Sequence, residues 1–446
     1  MIMQKHIGRR PRGHFYYGWV IVAVALISMA FWFGFRSMFS VFLVALVDDF
    51  GWGRAEISGV QSVAMVCYII AAPLVGGLLD RFGPRRVILP GIILLAAGLA
   101  LSSTIHGLLQ YYLFYGVLGG VSVTFISLTA YTAIIPHWFK KRRGTASGIA
   151  ASGMGLGLML FPPFTQGIIS DWGWRSGFLV MGVLTAVILL PLNGLLLRHK
   201  PMDLGYAGPD GGMDPGEDMT DHTGHAARQS DDEFQWSLGA AARTVNFWAL
   251  MLFPMFIMIG VYMLLTHFVG FLVNQGLNKM TAASAFGLIG LTSTIFRIVW
   301  GLVSDRIGRE QSFSLGMFFF CVSFYCLFRF QAGGGLWLVY LFVILVSVGW
   351  GSTAPIFMAS AADLFYGPAV GTIYGLVEGC LGIGGAFGSW IGGYVFDHTG
   401  SYQWAFGVAV MAAALAGIMI WVAAPGKGQA LKERVAAKKS MAHSRR

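Results

Sequence analysis

Twelve apolar stretches, most of 19 to 30 residues, follow one another along this chain of 446 residues. A stretch of about 20 apolar residues spans the hydrocarbon core of a bilayer as a helix, and in lipid only a helix or a closed barrel satisfies its own backbone polar groups. The pattern therefore predicts an all-α membrane protein with 12 transmembrane helices. The spans are expected at residues 17–47, 57–79, 87–104, 108–136, 146–169, 176–197, 246–275, 281–303, 312–330, 336–364, 369–396 and 402–424. Only 11% of the residues are charged, against about 25% in soluble domains. The first apolar run is too long for a signal-peptide core and is read as a retained helix.

Charge then orients the spans. The N-terminal tail, the alternate loops and the C-terminal tail on the same side hold 24 of the 30 Lys and Arg residues. The opposite loops hold four: Arg54, Arg175, Lys279 and Arg329. Such a bias marks the cytoplasmic side, so both termini are expected in the cytoplasm, with the chain integral to the cell (inner) membrane. It also accounts for the net charge of +10 without a nucleic-acid partner. The basic tail either meets anionic lipid or stays solvated. Cys67, Cys321, Cys326 and Cys380 lie inside apolar spans and read as small buried residues, not as disulfides or metal ligands. The run PDGGMDPGEDMTDH lacks the flanking helices and ligand spacing of a calcium loop. Neither a metal nor a cofactor is expected.

The two halves of the chain echo each other. GGLLDRFGPRR (Gly76, Asp80, Arg81, Gly83, Arg85, Arg86) follows span 2, and WGLVSDRIGRE (Gly301, Asp305, Arg306, Gly308, Arg309) follows span 8. Asp80 and Asp305 are 225 residues apart, Trp19 and Trp248 are 229 apart, and Phe178 and Phe406 are 228 apart. The expectation is two pseudo-symmetric six-helix bundles, residues 1–197 and 246–424. A cytoplasmic linker (198–245) joins them, and a basic tail (425–446) follows. In repeat-built carriers the solute site lies near the bilayer midplane between the repeats.

The paired Gly-x-x-x-Asp-Arg-x-Gly turns resemble the signature of the major facilitator superfamily. The resemblance implies that Gly76, Asp80, Arg81, Arg85, Gly301, Asp305, Arg306 and Arg309 form a conformational latch on the cytoplasmic side. A carboxylate there is favoured by a neighbouring helix N-terminus. HWFKKRRGTASGIAASGMGLG, from His137 to Gly157, and the opening Tyr17-Gly18-Trp19 resemble the monocarboxylate transporter family, which includes oxalate/formate-type exchangers. That resemblance implies alternating-access transport of a small organic anion rather than an enzyme activity. It also implies that the span 8 arginine, Arg297, binds a substrate carboxylate, and it places Arg36 where animal members carry a substrate-contacting lysine. Two family features are missing. The lysine of the oxalate exchangers corresponds to Leu381, and the aspartate one turn before the span 8 arginine corresponds to Ser293.

Four ionisable groups, leaving aside Tyr and Cys, lie well inside the spans: Arg36, His267, Arg297 and Glu378. An intramembrane charge costs a few kcal/mol and is a functional candidate by default. Two cations against one carboxylate leave a positive charge for an anion. Arg297 either holds substrate bidentately or forms a structural ion pair with Glu378, which lies at a similar depth. Glu378 is also the candidate coupling residue for protons, because burial and a nearby cation act oppositely on a carboxyl. Arg36 either meets substrate or snorkels to the outer interface. His267 either packs or senses protons. Ser127, Tyr131 and Tyr262, with Trp350 and Phe357, are at suitable depths to finish a pocket, or simply to pack. The partners expected are a small anionic solute, protons in the coupled case, and the lipid bilayer. Two alternatives stand beside this reading: a same-fold carrier for an aromatic acid, vitamin or drug, and a membrane sensor on a carrier fold.

Overall fold

The computed structural model describes residues 16–139, 142–198, 201, 236–365 and 370–427. Most of the polar segment between the halves and most of the basic tail lie outside these residues, as do the side chains of Asp80 and Arg143. Among the described residues all regular structure is helical. In chain order the spans are α1 (Gly18–Phe50), α2 (Arg54–Phe82), α3 (Pro84–Ser102) and α4 (residues 108–138). Residues 143–196 form α5 and α6, which part at Gly173. The second half contains α7 (Val245–Asn274), α8 (Lys279–Ile307), α9 (Arg309–Gln331) and α10 (Trp337–Phe365). It ends with α11 (Val370–Thr399) and α12 (Gln403–Ala423).

Among the described residues nine helices are long and apolar enough to cross a membrane. The longest of these, Thr145–Leu196, holds both α5 and α6. With that division, α4 and α11 bring the spans to the expected twelve. Several helices run a turn beyond the apolar stretches that predict them. Arg54, Glu56, Arg81 and Arg306 are helical, because a helix keeps its backbone bonded past the edge of the apolar core. Three spans are interrupted: α1 at Met38, α4 by a π-helical stretch over Tyr112–Gly119 and a break after Thr124, and α10 at Ser352. Hydropathy does not report such breaks.

The repeat is built into the backbone. Gly51, Gly83 and Gly173 end helices at positive φ, and so do Gly276, Gly308 and Gly400. The pairs are separated by 225, 225 and 227 residues, the spacing of the sequence echoes. Only glycine adopts that backbone at little cost. Packing repeats as well. A Cβ on Gly153 or Gly157 of α5 would run into the α1 carbonyls of Leu26 and Ala30. A Cβ on Gly384 or Gly388 of α11 would run into the α7 carbonyls of Met255 and Ile259. Each bundle thus closes on a small-xxx-small stripe, the device that draws helices together in lipid.

Between the bundles the contact is one-sided. On one half of the membrane α2 meets α11, where Ser62 Oγ donates to the Ala386 carbonyl at 2.6 Å and Gly393 lies against Ala55 and Ser58. There α5 also meets α8, with Gly155 against Gly290 and Thr294 and Gly287 against Met159. Towards the other face Gly76, Gly77, Gly148, Gly301 and Gly375 have nothing within 4 Å of a built Cβ. The cleft is therefore closed at the face of the 51–53 and 275–278 turns. It is open at the face where α1 begins and α12 ends.

Candidate functional site

The closed end of the cleft brings two guanidinium groups towards one aromatic floor. Arg36 lies on α1, two residues before the break at Met38. The chain is held there from behind: Tyr115 Oη donates to the Phe35 carbonyl at 2.6 Å, and the Tyr115 and Phe35 rings stack at 4.5 Å. Bare Gly34 admits the ring of Phe161. Arg36 is only 7% exposed, so it does not snorkel to the interface. Its Cζ lies 4.1 Å from the ring centroid of Trp32, one turn earlier, and 4.3 Å from that of Tyr68 on α2. Tyr262 on α7 also lies within the field of its guanidinium.

Arg297 stands on the facing bundle. Trp300 Nε1 donates to the Val348 carbonyl at 2.7 Å, and the Thr292 and Ser347 hydroxyls lie 2.6 Å apart. These two bonds pin α8 to α10 on either side of Arg297. Gly351, beside the α10 break, lets that helix approach the backbone of Phe296 and Arg297. The Arg297 Cζ lies 5.3 Å from the Trp350 ring. Trp350 lies 6.1 Å from Phe33 of α1, and Phe33 lies 6.0 Å from Trp32. An unbroken aromatic row thus runs from one cation to the other across the bundle boundary. Cation–π contact favours such placement, by about 2 kcal/mol or more when the cation is desolvated.

The donors on this row are underused. Arg36 Nη2, Trp32 Nε1 and Arg297 Nε are buried and have no hydrogen-bond partner among the described residues. Buried polar groups are nearly always bonded, and each exception calls for an explanation. Three unpaired N–H donors, two of them on guanidinium groups, thus lie along the row.

The sequence-predicted residues divide accordingly. Glu378 is exposed on α11 and sits in the field of Arg36. The alternative of an Arg297–Glu378 ion pair is not formed; among the described residues no carboxylate lies within ion-pair distance of Arg297. Tyr262 belongs to the Arg36 cluster. Tyr131 does not: its hydroxyl donates to Asn193 Oδ1 at 2.7 Å, and Asn193 Nδ2 donates to Ser28 Oγ at 3.2 Å. That network joins α1, α4 and α6 about 12 Å below Arg36, counted as eight residues at ~1.5 Å each. Ser127 is buried in the same bundle. His267 is fully buried, with Nε2 2.8 Å from the Ser389 carbonyl and Nδ1 3.4 Å from the Tyr402 hydroxyl. It packs under the closed face, away from the two arginines.

At the open face Arg309 donates to Asp305 at 2.6 Å, to Ser304 at 2.7 Å and to Asp363 at 3.2 Å. All four residues belong to the second bundle. Arg81, Arg85 and Arg306 are exposed, and Gly76 and Gly301 face open space. The latch residues therefore make no contact between bundles among the described residues in this state. Sequence reasoning missed Trp32, Phe33 and Tyr68. Trp32 was within reach, since it sits one helical turn before Arg36 and so on the same face. Tyr68 was not, because only the packing of α2 on α1 brings it there.

Comparison with known proteins places this geometry in context. The family model described as Major Facilitator Superfamily matches residues 23–310 and 274–444. Monocarboxylate transporter 13 of Bos taurus is 27% identical over 402 residues, covering 88% of this chain and 86% of that protein. Among solved structures, a D-xylose-proton symporter superposes with a TM-score of 0.67 at 16% identity, covering 91% of this chain and 97% of the other. A bacterial homologue of the human lysosomal transporter Spinster, in an inward-facing and occupied conformation, gives 0.64 at 15% identity, covering 97% and 98%. At these identities the two structures share the fold with this chain.

Proposed function

This chain is a multi-pass membrane transporter of the major facilitator superfamily, and from that premise we propose that it carries a small organic anion, a monocarboxylate, by alternating access. One observation bears most of the weight: two mid-membrane arginines present unpaired N–H donors along an aromatic row at the bundle boundary. The carboxylate of the solute meets Arg297 bidentately, and its carbon skeleton lies against Trp350 and Phe33. Arg36, held among Trp32, Tyr68 and Tyr262, shares its field with Glu378. With Glu378 ionised, the empty site holds one uncompensated cation, which attracts a solute of single negative charge. The likeness to monocarboxylate transporter 13 supports the same class of solute.

With the termini in the cytoplasm, as the charge bias argues, the open face is the cytoplasmic one. Rocking of the bundles about the aromatic row exposes the same arginines to the other side. The turns at Gly76–Arg86 and Gly301–Arg309 then meet and latch that face. Counterflow in proteoliposomes loaded with short monocarboxylates tests the reading. Exchange of such an acid is expected, and inertness towards every acid in the series would overturn it.

Glu378 is the coupling residue in this scheme: it accepts a proton when solute is bound and compensates Arg36 when the site is empty. Glu378→Gln is expected to keep exchange of anion for anion while abolishing the pH dependence of net uptake. An unchanged pH profile in that variant would make Glu378 structural.

A further inference from the structure

The closed face is held by a cluster that lies apart from the solute site. Arg54 opens α2 in the first bundle. Its backbone N–H donates to Asp397 Oδ1 at 3.0 Å, and the next N–H, of Ala55, donates to Asp397 Oδ2 at 2.7 Å. Asp397 belongs to α11 of the second bundle. The first amides of a helix have no partner within it, and a carboxylate there is favoured by the helix dipole. Here that carboxylate comes from the opposite bundle. Gly393, one turn earlier on α11, is bare against the Arg54 carbonyl and the Ala55 nitrogen, which permits the approach. The Arg54 side chain crosses the same boundary. Its Nη2 donates to Asn274 Oδ1 at 2.9 Å, its Nη1 donates to the Tyr402 hydroxyl, and its Cζ stacks 3.9 Å from the Phe396 centroid.

The pseudo-symmetric position is built differently. Lys279 opens α8, 225 residues after Arg54, and bonds Asp48 at the end of α1 at 2.7 Å. Both side chains are about half exposed, 44% and 55%, and an exposed pair of two flexible side chains contributes little. Asp397 is exposed as well, but it is fixed by two backbone amides of the opposite bundle. The first turn of α8 is capped locally, by Asn278 accepting from Met280 N at 2.8 Å. Asp171, 226 residues before Asp397, is exposed and makes no ion pair among the described residues.

We propose that Asp397 and Arg54 form a one-sided lock that sets the resting orientation of the carrier, with Lys279–Asp48 only an accessory. The lock exists only while this face is closed, since Asp397 and the α2 amides sit on different bundles. Removing it raises the free energy of the present state and shifts the population towards the state closed at the other face.

The antiparallel register supplies a reporter. Along α2 and α11 the facing pairs are Ser58 with Gly393, Ser62 with Ala386 and Ile69 with Gly382. Carried on, that register sets Gly76 opposite Gly375, where both are open. Cysteines at 76 and 375, in a variant with Cys67, Cys321, Cys326 and Cys380 replaced, cross-link when that face closes. In liposomes, Asp397→Asn is expected to raise the initial cross-linking rate about fivefold over the otherwise unaltered reporter, and Lys279→Gln by less than about twofold. Arg54→Lys keeps the charge and the backbone amides but loses the fork and the stacking. It is expected to fall between them, and it serves if Asp397→Asn does not fold. Equal rates in folded Asp397→Asn and in the reporter alone, or an effect of Lys279→Gln as large as that of Asp397→Asn, would overturn the lock. The readout needs no solute, so it stands or falls separately from the monocarboxylate reading.

Discussion

Arg297→Gln is expected to bring counterflow of the preferred acid down to the rate of protein-free liposomes, while the protein stays monodisperse. Glutamine keeps much of the length of the side chain and one N–H₂ group, but loses the charge and the fork. Truncating one partner of a buried, hydrogen-bonded charge pair costs about 2–5 kcal/mol, or about 30- to 4,000-fold in affinity at 1.4 kcal/mol per tenfold. The free protein gives up little, because Arg297 has no ion-pair partner there and its Nε is already unpaired. The loss therefore falls on solute binding and leaves folding intact. Arg297→Lys retains the charge without the bidentate geometry and is expected to keep a weak, easily saturated exchange. Wild-type counterflow by Arg297→Gln would remove this residue from the site.

Gly157→Leu should have the opposite signature: no folded protein rather than folded protein without transport. A side chain at this position runs into the carbonyl of Ala30 and the backbone of Gly34 on α1, two residues from Arg36. Ordinary overpacking costs about 1–3 kcal/mol because side chains yield. Here the obstacle is backbone, so α1 and α5 must separate along the stripe that holds the bundle shut. Gly388→Leu, its counterpart on α11 against Ile259, is expected to fail in the same way. Gly77→Leu, with nothing within 4 Å, is the control and should purify as wild type. The yield of monodisperse protein in detergent is the measurement. Normal yields of Gly157→Leu would mean that close approach of α1 and α5 is not required.

Much of this was legible from residues alone, each part for its own reason. Spans show in hydropathy because lipid leaves the backbone no alternative to the helix. The repeat shows at Asp80 and Asp305 because a tight turn at a membrane edge needs particular residues at fixed spacing. Arg36, Arg297 and Glu378 stand out because an ionisable group among apolar neighbours is costly and rare. The pairing among them was not legible. Depth along a helix left open an ion pair of Glu378 with Arg297, yet Glu378 sits in the field of Arg36. His267 and Tyr131 had suitable depth but face partners inside their own bundles.

By itself, then, the sequence determined the class of fold, the two-fold repeat and the few charges that membrane burial makes conspicuous. These follow from one-dimensional properties: apolar length, spacing, and the cost of a charge in hydrocarbon. Only the tertiary structure decided which charges share a field, which face of the cleft is shut, and that Asp397 caps a helix 343 residues away at Arg54. Such contacts depend on how helices are rotated and crossed, and that is set by the summed packing of glycine stripes and aromatic faces, not by any single residue.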